Sequence, residues 1–190
     1  MRAKGPGQST LLLLDVIAVL NKLRVSYAII GAFAASFYGV IRASMDADAA
    51  ISFPHGQADV ARLLDELRQA GLTVTYRKGD MHDPIGAVVN AEDRFNNRVD
   101  LLMDIRGMTT ALFSRAIDAK FMNTRIRVIG IEDFIATKIF AGSPKDLQDV
   151  VGVLNVSSDR IDLPLLKTLV KSQGSDAVRK LESLLQANTK

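Results

Sequence analysis

Apolar residues recur at helical spacing early in the chain. Leu12, Val16, Val19, Leu20 and Leu23 form one stripe, and Ser9-Thr10 ahead of them supply capping hydroxyls. This spacing predicts a helix from Leu11 to about Arg24. The period then changes. Tyr27-Ala28-Ile29-Ile30 predicts a short buried strand ending at Gly31, followed by a small-residue helix from Ala32 to Tyr38 that stops at Gly39. Met45–Phe53 alternates and predicts a strand. Gly56–Ala70 predicts an amphipathic helix through Val60, Leu63, Leu64 and Leu67, ended by Gly71. Leu72–Tyr76, Ile85–Ala91 and Arg98–Ile105 read as strands, the first two separated by the polar turn Lys78–Asp83. Met108–Ile117 predicts a helix and Ile126–Ile129 one more strand.

From Ile131 onward the pattern is helical only. Helices are predicted at about 131–141, 144–154, 162–173 and 175–187, with breaks at Gly142-Ser143-Pro144, Asn155–Arg160 and Gly174. The expected organisation is a flexible glycine- and proline-rich tail (1–8), an α/β domain (9–130) and a helical C-terminal domain (131–190). The fold class is α/β (α+β): a small mixed β-sheet with helices on one face, followed by a helical bundle.

Composition narrows the chemistry. A chain of 190 residues suits one ordinary domain with a small appendage. Its 48% hydrophobic and 24% charged residues exclude global disorder. The chain has no cysteine, which excludes a disulfide framework, thiolate zinc, iron–sulfur ligation and a cysteine nucleophile, and makes the cytoplasm the expected location. With two histidines, His55 and His82, a multi-histidine metal centre is excluded. Any metal would be held by oxygen ligands, which suits magnesium, manganese or calcium. A net charge of +3 suits nucleotide or RNA partners without implying them, and no nucleic-acid face stands out. The longest apolar runs, Leu11–Leu14 and Ile126–Ile131, fall far short of the ~20 residues of a membrane span. Asp15 and Asn21-Lys22 interrupt the first apolar stretch and argue against a signal peptide.

The informative residues are acids. Asp46 and Asp48 are two apart on a predicted strand, so both carboxylates share one face with Ala50 and Ser52. Ala47, Ala49, Ile51 and Phe53 form the opposite, apolar face. Two carboxylates this close repel unless a cation lies between them, and a divalent metal is the economical explanation. D-x-D alone reads more often as two exposed aspartates at a strand entry. Asp100 on Arg98–Ile105 changes that balance, because a third acid on a neighbouring strand would complete a three-carboxylate site for two magnesium ions. Asp104 shares a face with Asp100 but lies ~13 Å away along a strand, so both cannot join one cluster. Asp100, deeper in the strand, is the choice; Asp104 is expected to cap the strand end or pair with Arg106. Gly31 before a helix N-terminus lets backbone approach a ligand and offers amides to phosphate, although a tight turn alone would explain it too. His82 reads as a surface residue. The leucines of the last two helices, among them Leu166, Leu169 and Leu181, read as helix–helix core, with a dimer or partner surface as the alternative.

A strand ending in Gly31, a short helix closing at Gly39, Arg42, Ser44 and then Asp46-x-Asp48 together resemble the DNA polymerase β-like nucleotidyltransferase superfamily. Within it the chain is similar to minimal bacterial nucleotidyltransferases and to the AbiEii-type toxins of toxin–antitoxin systems. Lys138 on one helix, before Lys145-Asp146 opening the next, adds to the resemblance, which covers roughly residues 25–154. It implies a magnesium-dependent enzyme, with manganese as a substitute, that moves a nucleotide from an NTP such as ATP to a hydroxyl. The acceptor would be a protein side chain, an RNA 3′ end such as that of tRNA, or a small molecule, and a cognate antitoxin would be a partner. It further implies that Asp46, Asp48 and Asp100 bind metal, with Asp100 orienting or deprotonating the attacking hydroxyl. Gly31 and the Ala32 amide would hold the triphosphate, with Arg42 and Ser44 beside the site. Lys138 would reach the phosphates, and Asp146 would support the site or contact Lys138. The superfamily's turn commonly reads Gly-Ser or Gly-Gly. Here it is Gly31-Ala32, which lacks a hydroxyl for phosphate. A non-catalytic module that binds a nucleotide or a partner is therefore the alternative reading.

Overall fold

The computed structural model describes residues 2–53 and 58–188. Its centre is a seven-stranded mixed sheet of order β3-β4-β5-β2-β1-β7-β6. In chain order the elements are α1 (Ser9–Lys22), β1 (Ser26–Ile29), α2 (Gly31–Phe37), β2 (Asp46–Ser52), α3 (Ala58–Gln69), β3 (Thr73–Lys78), β4 (Ile85–Glu92) and β5 (Arg98–Ile105). A one-turn helix α4 (Leu112–Arg115), β6 (Ile117–Phe121) and β7 (Thr124–Val128) follow. Helices α5 (Ile131–Ala141), α6 (Pro144–Ser157), α7 (Leu163–Lys171) and α8 (Ser175–Asn188) complete the chain. The expected mixed sheet with flanking helices is what the structure shows.

Strand alternation sets the two faces of the sheet. Ala47, Ala49, Val99 and Leu101 are buried on one face, and α1 packs across β1, β2, β5 and β7. The opposite face of β2 and β5 carries the acids. β2 is the central strand and runs parallel to β5 and antiparallel to β1. A central strand is ordinarily apolar on both faces, so the acids here depart from that pattern and make this face the candidate site. The C-terminal helices pack on one another and continue the same apolar core, from Leu12 through Val150 to Leu181. They are joined to the sheet side by the Ser157 hydroxyl of α6, which donates to the Tyr38 carbonyl at 3.2 Å, and by the Arg115–Asp133 pair.

Three expectations differ from the structure. Ser9 does not cap α1 from outside. It is the first helical residue, and its hydroxyl donates to the Met45 carbonyl while accepting from the Arg98 amide, tying together the entries of β2 and β5. Met108–Ile117 is not one helix. Only Leu112–Arg115 is helical, and Ile117 begins β6, a mostly exposed five-residue edge strand whose alternation of Ile117, Ala119 and Phe121 with Asp118 and Lys120 is too short to stand out. β6 turns into β7 through Met122-Asn123, both at positive φ, the conformation of a tight two-residue hairpin. Asp104 does not pair with Arg106, whose guanidinium donates instead to the carbonyls of Met81, His82 and Asp83. The start of the Gly56–Ala70 helix and His55 lie outside the described residues. Among the described residues no helix is long and apolar enough to cross a membrane.

Candidate active site

Register brings the acids together. In the parallel β2–β5 pair, Asp48 stands directly beside Asp100, and Asp46 beside Arg98. Carboxylate oxygens of Asp46, Asp48 and Asp100 lie within 4.8 Å of one another. Asp104 is not in this group; its side chain packs against Gly86.

Each acid has a different environment. Asp46 accepts from the Ser44 hydroxyl at 2.6 Å. Asp100 is buried and accepts Arg98 Nε on Oδ1 at 2.6 Å, Arg98 Nη2 on Oδ2 at 2.7 Å and Asn90 Nδ2 on Oδ1 at 2.8 Å. Among the described residues no donor reaches the Asp48 carboxylate. Burial, then the negative charges of Asp46 and Asp100, push Asp48 up to about 6, against smaller opposing effects of Arg42 and Lys138. A clustered, partly desolvated set of carboxylates with one member lacking a partner fits a hard divalent cation such as Mg²⁺. Asp46 and Asp48 are the residues best placed to hold it.

The turn before α2 is built around Asp48. The Ile30 amide donates to the Asp48 carbonyl at 3.0 Å, closing the end of β1 onto β2. Gly31 follows at φ +63°, and a Cβ there would lie 2.1 Å from Asp48 Oδ2. Both the backbone sign and the space demand glycine. The first amides of α2 begin at this point, beside the carboxylates, and a helix start leaves such amides without intrahelical acceptors.

The cationic side is a network between α5, α6 and the loop before β2. Lys138 Nζ reaches Asp146 Oδ1 at 2.6 Å and Asp149 Oδ2 at 2.9 Å. Asp149 Oδ1 lies 3.3 Å from Arg42 Nε, close enough for an ion pair although not aligned as a hydrogen bond. Asp149 is 3% exposed, so two cations share one buried anion. Ser143 caps α6 and donates to Asp146 Oδ2 at 2.6 Å. Burial pushes the Asp146 carboxyl up, but the bonds from Lys138 and Ser143 outweigh it and hold its pKa below the ordinary value.

Two clefts meet at the acids. One of about 330 Å³ lies between the sheet and α5, lined by Ile30, Gly31, Asp48, Phe134, Lys138 and Asp146 among others. The other, of about 300 Å³, lies along α2, lined by Ala32, Phe33, Ser36, Ser44, Asp46 and Phe121. Arg42 borders both. Thus all nine residues singled out in the sequence converge on this region: Asp46, Asp48, Asp100, Gly31, Ala32, Arg42, Ser44, Lys138 and Asp146. Sequence reasoning passed over Asp149, Asn90 and Arg98. Asp149 had a signal, since it follows Asp146 by three residues on one helix face. Arg98 had one too, sharing the strand face of Asp100. Asn90 had none, because only strand register sets it opposite Asp100.

Solved structures share this fold. An antigenic nucleotidyltransferase-like protein from Paracoccidioides brasiliensis aligns over 98% of this chain and 95% of its own, with TM-score 0.54 and 15% identity. The antibiotic-resistance factor ANT(2″)-Ia aligns over 96% of each chain with TM-score 0.58 and 12% identity. A second structure of it, in complex with adenylyl-2″-tobramycin, covers 88% of this chain and 99% of its own, with TM-score 0.55 and 14% identity. No curated protein matches by sequence. The fold expected from the strand–glycine–helix–D-x-D order is thus the one these solved structures share. The family model described as "Nucleotidyltransferase of unknown function (DUF6036)" matches residues 11–188, nearly the whole chain, and the protein belongs to that family.

Proposed function

We propose that this protein is a divalent-metal-dependent nucleotidyltransferase that moves an NMP from an NTP to a hydroxyl group. The observation that carries this reading is the in-register placement of Asp48 beside Asp100, with Asp46 next to them, against the Gly31 turn. Mg²⁺, or Mn²⁺ in its place, would be held by Asp46 and Asp48 with Asp100 alongside. Bound there, it supplies charge neutralisation for the triphosphate. The chain's own residues do the rest. Gly31 lets the phosphates come close to the backbone, and the Ala32 amide donates to a phosphate oxygen. Lys138 and Arg42 face the same cleft and offset charge as it builds on the leaving group. The acceptor oxygen attacks the α-phosphorus in line, the bond to the bridging oxygen breaks, and pyrophosphate departs. The hydroxyl proton passes to Asp100 and from there to solvent.

ANT(2″)-Ia, bound to adenylyl-2″-tobramycin, supports a small-molecule acceptor. A protein side chain or an RNA 3′ end remains in the same chemical class of acceptor, a hydroxyl. A toxin role with a cognate antitoxin, and a cytoplasmic setting, belong to this proposal as well. A second reading, nucleotide binding without transfer, is favoured by Ala32, whose methyl stands where the superfamily often has a hydroxyl.

The test is transfer from each α-³²P-labelled NTP with Mg²⁺, using the protein alone, with total tRNA, with lysate and with a panel of aminoglycosides. An Asp46→Ala/Asp48→Ala variant is the control. Label on an acceptor that vanishes in the control is the expected result. Equal labelling by the control refutes the site assignment. Metal-dependent NTP binding with no transfer in any arm favours the second reading.

A further inference from the structure

The third carboxylate already has a cation. Arg98 grips both oxygens of Asp100 in a fork, at 2.6 and 2.7 Å, and Asn90 adds a third donor to Oδ1 at 2.8 Å. A carboxylate offers about four acceptor positions, so three of those of Asp100 are filled. This fork–fork geometry is the strong, directional form of the arginine–carboxylate pair. Asp48, beside it in register, has no such donor among the described residues, and Asp46 has only the Ser44 hydroxyl. The cation demand of the site is therefore uneven: open at Asp46 and Asp48, met at Asp100.

We propose that Arg98 stands on Asp100 where a second divalent ion would sit, so that this site takes one ion, at Asp46 and Asp48. The inference rests on the nucleotidyltransferase reading above and specifies how its metal site works. Two ions in a phosphoryl-transfer site lie about 3.5–4 Å apart and share carboxylates. A guanidinium forked on Asp100 holds the positive charge that a second ion would bring, and its charge would repel that ion. Arg98 can do this because strand alternation puts it two residues before Asp100 on the same face. It carries fixed charge at every working pH. Its role is positioning: it fixes the Asp100 carboxylate and sets the ion count. The side chain of Arg98 is 49% exposed, so its removal opens no core.

The test counts ions rather than turnover. The folded chain is loaded with Mn²⁺ and a mixture of non-hydrolysable α,β-methylene analogues of the four nucleoside triphosphates, and EPR reads both stoichiometry and spin coupling. Wild type is expected to hold one magnetically isolated Mn²⁺ per chain, lost in Asp48→Asn. Arg98→Ala is expected to hold two, spin-coupled, with unchanged circular dichroism. A coupled pair in wild type overturns the inference, as does a single ion in Arg98→Ala. No Mn²⁺ that depends on Asp48 overturns the nucleotidyltransferase reading itself, an outcome distinct from the other two.

Discussion

Asp48 pays for its position in stability, and Asp48→Asn measures how much. Burial and the neighbouring charges of Asp46 and Asp100 raise its carboxyl from 3.8 to about 6. That shift corresponds to about 3 kcal/mol against the charged, metal-free fold at neutral pH. Because the folded pKa lies above the unfolded one, the folded chain keeps this proton longer than the unfolded chain does. The penalty is absent below about pH 3.8, grows as pH rises between 4 and 6, and is complete near pH 7. At pH 5 about half of it has developed. Asparagine removes the ionisation and brings an amide that can donate to Asp46 or Asp100. In EDTA, Asp48→Asn should therefore be more stable than wild type by up to about 3 kcal/mol at pH 7.5 and by about half that at pH 5. For a chain of this length the neutral-pH gain is a rise in Tm of about 6–12 °C. Urea unfolding of both proteins at the two pH values, followed by circular dichroism, measures it. Adding Mg²⁺ should reverse the order by stabilising wild type and not the variant. An Asp48→Asn protein no more stable than wild type at pH 7.5, or a gain that does not shrink at pH 5, refutes the reasoning.

Other perturbations test the parts around Asp48. Gly31→Ala and Gly142→Ala both force alanine into left-handed backbone, at φ +63° and +66°, costing about 1–2 kcal/mol each in urea unfolding. Only Gly31→Ala also drives a methyl into the Asp48 carboxylate, so it alone should weaken Mg²⁺ binding by ~10–100-fold in calorimetry; equal metal affinity in both variants would sink the packing argument. Asp149→Ala leaves Arg42 without its buried partner and takes one of two from Lys138, and should lower unfolding free energy by about 3–5 kcal/mol. A loss under about 1 kcal/mol would mean that the network is solvated, like a surface pair. Met122→Gly relieves a side chain held at φ +44° in the β6–β7 turn and should raise stability by about 1 kcal/mol, with no change in NTP binding.

Much of the site was legible because the two strands bearing it obey strict alternation. Asp46 and Asp48 had to share a face, and so did Arg98 and Asp100. Gly31 announced itself as a turn between a β-rich run and a small-residue helix. Reading failed where the local pattern was weak. β6 is a mostly exposed edge of five residues whose apolar alternation, Ile117-Ala119-Phe121, is short, and its hairpin places methionine at positive φ, which composition does not advertise. Ser9 looked like a helix cap because a hydroxyl before an apolar run usually is one. Its actual partners, Met45 and Arg98, lie 36 and 89 residues away in sequence.

Local periodicity and residue chemistry alone thus determined most of the elements, though not β6 or the short α4, together with the apolar and acidic faces of β2 and β5 and the oxygen-only ligand set. Tertiary structure decided what periodicity cannot carry: the phase of one strand against another, and which helices meet. Slipping β5 by one residue against β2 would turn Asp100 to the α1 face and dismantle the cluster. That register depends on distant contacts, including the Asp93–Asn97 turn and its bonds to Gly5 and Gln8. Likewise, Lys138, Asp146 and Asp149 become one network with Arg42 only when α5 and α6 fold back beside the loop before β2. Side-chain direction is a short-range property of the backbone; distance between acids on different strands is set by the packing of the whole chain.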